Sequence, residues 1–190
     1  MTKKSILIGL MTMVAMSCSY KKIEKYESGS IKTIGRITDG KKSGEWVYFK
    51  ENGDTTEIKK FESGILTSET HFYNNRVFSK NFFRNGNKIL QETYYEDGSL
   101  ECSLNFKADV HHGLSECFYP NGQLKSSHQF RNGVPFGKAL EFWQDGLSKL
   151  KTDNIGNGIH FFRDSLGNEA THYMIDFKQV DSLEYFSRMP

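Results

Sequence analysis

The stretch GLSECFYPNGQLKSSHQFRNG, Gly113 to Gly133, decides the fold. An apolar, aromatic run closes in Phe118-Tyr119 and breaks at Pro120-Asn121-Gly122. Asn-Gly reaches positive φ at low cost and favours the primed turns that join antiparallel strands. A second run, Gln123 to Phe130, ends at Arg131-Asn132-Gly133. The segment reads as strand, tight turn, strand, looser turn. The same grammar appears in Gly44 to Gly64, GEWVYFKENGDTTEIKKFESG, and in Gly137 to Gly146, GKALEFWQDG.

Working outward, six aromatic doublets fall at a near-constant interval. They are Tyr48-Phe49, Phe72-Tyr73, Tyr94-Tyr95, Phe118-Tyr119, Phe142-Trp143 and Phe161-Phe162, with first members 24, 22, 24, 24 and 19 residues apart. Most precede a turn glycine: Gly53, Gly98, Gly122, Gly146 and, slightly late, Gly167; the second copy has Asn74-Asn75-Arg76 instead. The return strands keep a second register, with Phe61, Phe83, Phe106 and Phe130 separated by 22, 23 and 24 residues. A half-copy begins earlier, at Tyr26-Glu27-Ser28-Gly29 and Ile37-Thr38-Asp39-Gly40. Self-similarity at such a period marks a repeat architecture.

Side chains alternate faces along a strand, so each doublet sends one ring to each face and stacked repeats align the rings in two columns. Cross-strand aromatic pairs contribute roughly 0.2–1 kcal/mol each. The strands are otherwise polar, as in Lys125-Ser126-Ser127-His128-Gln129, which argues against a thick two-sheet core. The expectation is an all-β, elongated, single-layer antiparallel meander of consecutive hairpins with a period of about 22–24 residues. Its stability comes from neighbour contacts, as in a solenoid. The ring columns serve either as core or as a binding groove.

Repeats occupy residues 26–168, and residues 169–190 read as a cap. Glu169 to Lys178 forms a last strand, with Tyr173, Ile175 and Phe177 on one face. A short helix spans Val180 to Met189, with Val180, Leu183, Tyr185, Phe186 and Met189 apolar. A cap protects the open sheet edge; docking of a partner is the other reading of this helix.

The N-terminus has different grammar. Lys3 and Lys4 precede an apolar stretch of eleven residues, Ile6 to Met16, and Ala15-Met16-Ser17 leads to Cys18. Eleven residues are too few to span a bilayer, and the layout is that of a signal peptide over residues 1–17. It resembles a bacterial lipoprotein signal, which implies lipid on Cys18, a tether over residues 18–25 and a lipid-anchored, exported protein, periplasmic or at the cell surface. Plain secretion and a cytosolic chain are the alternatives. Without Cys18, Cys102 and Cys117 remain, an even number flanking a turn at Asp109-Val110. They read either as a cross-strand disulfide in an oxidising envelope or as two unpaired small hydrophobes.

The chain is formally +2, and losing Lys3 and Lys4 leaves 25 − 2 = 23 basic against 23 acidic residues. A neutral mature chain argues against nucleic-acid binding, which depends on phosphate neutralisation. No phosphate loop, nucleophile elbow or metal motif appears. His111-His112 is a paired histidine in a turn, where adjacent side chains diverge, and His71 and His160 read as strand-surface residues. No catalytic, cofactor or metal residue is expected.

The pattern Gly44-Glu45-Trp46-Val47-Tyr48-Phe49-Lys50-Glu51-Asn52-Gly53 resembles the bacterial MORN-type repeat, roughly Gly-x-aromatic-x-x-Tyr/Phe-x-x-Asn/Asp-Gly. The resemblance recurs at Tyr94 to Gly98, Phe118 to Gly122 and Phe142 to Gly146, and departs at Phe72 and Phe161. It implies structural motif residues, attachment to membranes or proteins, and an antitoxin label that many bacterial relatives carry. The expected function is an envelope-anchored protein-binding or scaffold module without catalysis. The alternatives are a toxin-neutralising immunity protein and a glycan-binding surface lipoprotein. Trp46 and Trp143 are the expected partner-binding aromatics, because their equivalent positions vary between copies.

Overall fold

The computed structural model describes residues 18–152, 157–163, 167–175 and 178–188. The expected signal peptide, Phe177 and Met189 lie outside the described residues. Among those described, fifteen strands form one antiparallel sheet whose spatial order is the order of the chain. The first six are β1 (Ser19–Lys25), β2 (Ile31–Thr38), β3 (Lys41–Phe49), β4 (Thr55–Glu62), β5 (Ile65–Tyr73) and β6 (Arg76–Arg84). Then follow β7 (Asn87–Tyr94), β8 (Leu100–Lys107), β9 (Val110–Phe118), β10 (Leu124–Arg131) and β11 (Val134–Phe142). The last are β12 (Ser148–Thr152), β13 (Gly158–Arg163), β14 (Glu169–Ile175) and β15 (Lys178–Val180), before helix α1 (Ser182–Arg188). This is the expected meander.

Two expectations at the ends need correction. Ser19–Lys25 is not a tether but a strand, paired along its length with β2. The last strand is not continuous to Lys178: β14 stops at Ile175, and Lys178–Val180 pairs back on it as β15. Helix α1 is capped by Asp181, whose carboxylate accepts the Glu184 N–H at 2.8 Å. Phe186 meets Tyr173 edge-on at 5.5 Å and ties α1 to β14.

The turns fall into two classes, one on each long edge except that the tight turn Asn74-Asn75 lies on the edge of the longer loops, and their assignment is the reverse of the expectation. Tight two-residue turns lie at Asp39-Gly40, Ser63-Gly64, Asn74-Asn75, Asn85-Gly86, Ala108-Asp109 and Asn132-Gly133, with both residues at positive φ. That is the primed hairpin geometry. Pro120-Asn121-Gly122 belongs to the looser class. There Gly122 N–H donates to the Tyr119 carbonyl, and only Gly122 has positive φ (81°). Tyr119, Pro120, Asn121 and Gly122 thus occupy the four positions of a type I turn, with proline second and glycine last. Asn121 serves through its side chain, whose Oδ1 accepts the Gln123 N–H at 3.1 Å. Asn52, Asp97 and Asp145 make the same bond.

The turn classes also account for the uneven period. Loop glycines Gly29, Gly53, Gly98, Gly122 and Gly146 are spaced 24, 45, 24 and 24 residues. The interval of 45 is 24 + 21. The five-residue loop found at residues 50–54 is replaced at Asn74-Asn75 by a two-residue turn, three residues shorter.

From β2 to β9 the sheet shelters one face, whereas the buried Ile175 of β14 lies on the other. Directly paired residues share a face, and by this rule Thr33, Ile37, Trp46, Ser79, Asn81 and Ser115, all buried, point the same way. Wide bulges shape this face. Strands β3, β9 and β11 each carry two more residues than their partners around Gly44, Gly113 and Gly137, all at positive φ. Such bulges bend and twist a strand locally. The return-strand phenylalanines lie on the sheltered face near the tight turns, interleaved with cations and histidine. Lys42 Nζ sits 5.1 Å from the Phe61 ring centre and Lys88 Nζ 4.0 Å from that of Phe106. His111 stands between Phe106 (4.5 Å) and Phe130 (5.2 Å).

Candidate functional site

Trp46 is not a free binding aromatic. It is 1% exposed, the most buried large side chain among the described residues. A Cβ on Gly35 would lie 2.2 Å from the indole, so the ring rests directly on the Gly35 backbone. Its indole N–H donates to the Arg36 carbonyl at 3.1 Å, and Lys42 Nζ covers the ring at 4.2 Å. The wide bulge at Gly44 and the missing side chain at Gly35 make the space. Trp143 differs: it is half-buried, with the Lys149 ammonium 5.2 Å and the Arg163 guanidinium 5.7 Å from its ring centre. Arg163 is itself held by Asp145 (2.6 Å) and Glu169 (2.8 Å). The Arg163 hydrogen bond is the first cause that holds the Asp145 carboxyl below its ordinary range.

Cys18 is exposed with a free thiol, and its N–H donates to the Asp39 carboxylate at 3.0 Å. Cys102 and Cys117 are directly paired across β8 and β9 and joined by a disulfide, with Cα atoms 4.0 Å apart.

The doublets have a role that the two-column reading missed. Two of their second members, Tyr95 and Tyr119, latch one repeat to the next. Tyr95 donates to the Phe118 carbonyl and Tyr119 to that of Phe142, both at 2.8 Å. Tyr26, in the half-copy, donates to the Phe49 carbonyl at 2.7 Å. These bonds all span 23 residues. Phe49, Phe118 and Phe142 are therefore equivalent, and the doublet Tyr48-Phe49 is shifted by one against the others.

Tyr73 lacks that latch. It ends β5 beside the shortened turn, where it is 67% exposed, and Phe78, bulged out of β6, is 46% exposed. With Arg76, Val77, Tyr94 and Tyr95 they line an open groove of about 330 Å³. Arg76 is drawn to the next loop, donating to the Glu96 carbonyl at 3.2 Å. On the groove wall Tyr94 lies under Lys80 (5.1 Å) and donates to Glu92. Burial first, and that bond second, push its hydroxyl pKa up. The groove is a consequence of the repeat's own irregularity.

A second cluster sits on the sheltered face across β4, β5 and β6. Glu57 pairs with His71, Lys59 with Glu69, and Glu69 with Asn81. His71 stands between the two carboxylates, Nδ1 3.5 Å from Glu57 and Nε2 3.3 Å from Glu69. Lys59 Nζ closes the ring of charges at 3.2 Å from Glu57 and 3.8 Å from Glu69. His71 was expected to be a plain strand-surface residue. The signal was the pair of motifs Glu57-Ile58-Lys59 and Glu69-Thr70-His71 on strands joined by a tight turn. His111, by contrast, packs between phenylalanines, and His112 only approaches the Asn132 N–H at 3.5 Å.

Residues 89–108 and 112–132 match the MORN repeat variant family. Each matched segment is one hairpin with a five-residue loop at its centre, β7–β8 and β9–β10. These two segments are thus similar to MORN-type repeats. No curated protein matches the chain. Among solved structures, a mutant of S. aureus TarM in complex with Fondaparinux, alpha-GlcNAc-glycerol and UDP is 15% identical over 49% of this chain and 19% of its own, with a TM-score of 0.40. The accessory secretory protein 1, 2 and 3 structure from Streptococcus pneumoniae is 19% identical over 58% of this chain and 19% of its own, with a TM-score of 0.33. A GtfA/B complex is 16% identical over 60% of this chain and 21% of its own, with a TM-score of 0.38. This chain thus spans about a fifth of those chains.

Proposed function

We propose that this chain is an envelope-anchored repeat module that binds another protein through the groove at Tyr73 and Phe78 and performs no catalysis. The observation that carries the reading is the break in the repeat. Among the described residues the other turns of that edge are five-residue loops, three of them latched by a tyrosine, but at Asn74-Asn75 the loop is cut to two residues and the rings of Tyr73 and Phe78 are exposed beside Arg76. Aromatic and arginine side chains are the residues in which interface energy concentrates.

Anchoring rests on the lipoprotein-like stretch before Cys18. Cys18 is hydrogen-bonded to the turn at Asp39, so the lipid would lead straight into β1 without a tether. Exposed β1 then holds Lys21, Lys22 and Lys25 near anionic head groups, where each basic residue contributes about 1 kcal/mol.

A photo-crosslinking residue at Phe78, in membranes carrying the full chain, tests both parts. The expected result is a single protein adduct, lost with Tyr73→Ala, on a chain that carries lipid mass at Cys18. Cys18→Ala should release the chain from membranes. No adduct at Phe78, with adducts at Val134 on the opposite edge, would overturn the groove. A glycan is the second reading, since Tyr73, Tyr94 and Tyr95 rings beside Arg76 and Glu96 also suit a sugar. Oligosaccharide binding abolished by Tyr73→Ala, without a protein adduct, would select it.

A further inference from the structure

We propose that Glu57, Glu69 and His71 form a binding site for one Zn²⁺-class divalent cation on the sheltered face, with Lys59 as the built-in competitor for the ion. One ligand atom from each of the three residues lies within 4.8 Å of the others. A single imidazole with two carboxylates is a donor set that suits zinc and its neighbours better than magnesium or calcium, which take oxygen alone.

Two observations point to a cation. The first is the Lys59 ammonium, held between one oxygen of Glu57 and one of Glu69. A positive charge already occupies the place that an ion bridging the two carboxylates would take. Lys59 is only part-covered and ends a flexible chain, so it can withdraw to solvent. With a neutral imidazole the cluster carries two negative charges and one positive. Exchange of the ammonium for a divalent ion leaves the site neutral.

The second observation is Asn81. It is 8% exposed, and its amide is aimed into the cluster, with Nδ2 2.9 Å from Glu69 Oε1 and 3.4 Å from His71 Nε2. Its Oδ1 is buried without a partner. A buried amide that orients a carboxylate at the cost of an orphaned oxygen is the support that ligating carboxylates need. The supports are strands, not loops, so the ligands hold their places before an ion arrives.

Calorimetric titration of the full chain with Zn²⁺, compared with Mg²⁺, tests the site. The expected result is one Zn²⁺ per chain and no saturable Mg²⁺ binding. His71→Gln and Glu69→Gln should each weaken Zn²⁺ at least tenfold, with the β-type circular dichroism retained. Lys59→Met should tighten Zn²⁺ severalfold, because it removes the competitor. That outcome separates an ion site from a simple ion-pair network, which Lys59→Met would only weaken. Co²⁺ should give a visible absorption band in Lys59→Met that is absent when His71→Gln is added. Lack of saturable Zn²⁺ binding in folded Lys59→Met overturns the proposal. So does unchanged affinity in His71→Gln, which would move the ion to another of the histidines.

Discussion

Hairpins β2–β3 and β8–β9 share one backbone and hold it by different means. Both carry the wide bulge, around Gly44 in one and Gly113 in the other. On the sheltered face, the place that Gly35 and Trp46 fill in the first is taken by the pair Leu104 and Ser115 in the second. The next pair is Thr33 and Tyr48 in the first and Cys102 and Cys117 in the second. The first hairpin is filled by one indole. The second leaves Ser115 Oγ buried without a partner and closes the strands covalently. These two hairpins share turn and bulge; the means of holding each is local.

Removing the means at each hairpin breaks this comparison. Trp46→Ala has the largest expected effect, a loss of about 3–5 kcal/mol, the usual cost of emptying a buried aromatic site. Denaturant unfolding measures it. Gly35→Ala is its companion, since the added methyl meets the ring at 2.2 Å. It should cost about 1–3 kcal/mol, as overpacking does. A Trp46→Ala loss below that of an exposed aromatic such as Tyr73→Ala would mean that the indole is not what fills the first hairpin. Next in size is the disulfide. It closes a separation of 15 residues, for which chain entropy gives roughly 3 kcal/mol. Dithiothreitol should lower the melting temperature of the wild type and leave a Cys102→Ser, Cys117→Ser variant unmoved. Equal shifts in both would show that the bond contributes nothing.

The latch between neighbouring repeats comes third. Tyr119→Phe removes only the hydroxyl that donates to the Phe142 carbonyl, at an expected cost of about 1 kcal/mol. Tyr73→Phe, which loses no such bond, should leave stability unchanged. Equal effects would remove the distinction between latched and bare rings on which the groove rests.

The meander was legible in the sequence because strand alternation and turn residues are local signals. The doublets and the return phenylalanines each stated the period independently. Three things were not legible. Burial of Trp46 depends on how far the sheet curls and on Gly35, a position ten or more residues away in the chain with no motif of its own. The Glu57, Glu69 and His71 cluster depends on cross-strand register, and β4–β5 carries a bulge between Lys60 and Phe61 that slips the pairing by one. The tether over residues 18–25 was polar and lysine-rich in sequence, as an exposed edge strand also is. Turn class is not legible from Asn-Gly alone, because the dipeptide occurs on both edges, at Asn121-Gly122 and at Asn132-Gly133. Pro120 was the available signal: it fixes a negative φ just where a type I turn begins.

The two Asn-Gly dipeptides supply the smallest test. Asn132 is at φ 51° in a primed turn, a conformation that glycine adopts at no steric cost. Asn121 has no positive φ, and its side chain caps the Gln123 N–H. Asn→Gly at the two positions should therefore differ although the dipeptide is the same. Asn132→Gly should change stability by less than about 0.5 kcal/mol, the loss of a β-turn side chain offset by relief of strain. Asn121→Gly loses its hydrogen bond and adds freedom to the unfolded chain, at about 0.5–1.5 kcal/mol. Thermal melts of the two single variants, side by side, give the difference directly. If Asn132→Gly is the more damaging, the two edges have been assigned the wrong way round. The notch at Asn74-Asn75 would then no longer be a primed turn set among longer loops, and the bare rings of Tyr73 and Phe78 would need another cause.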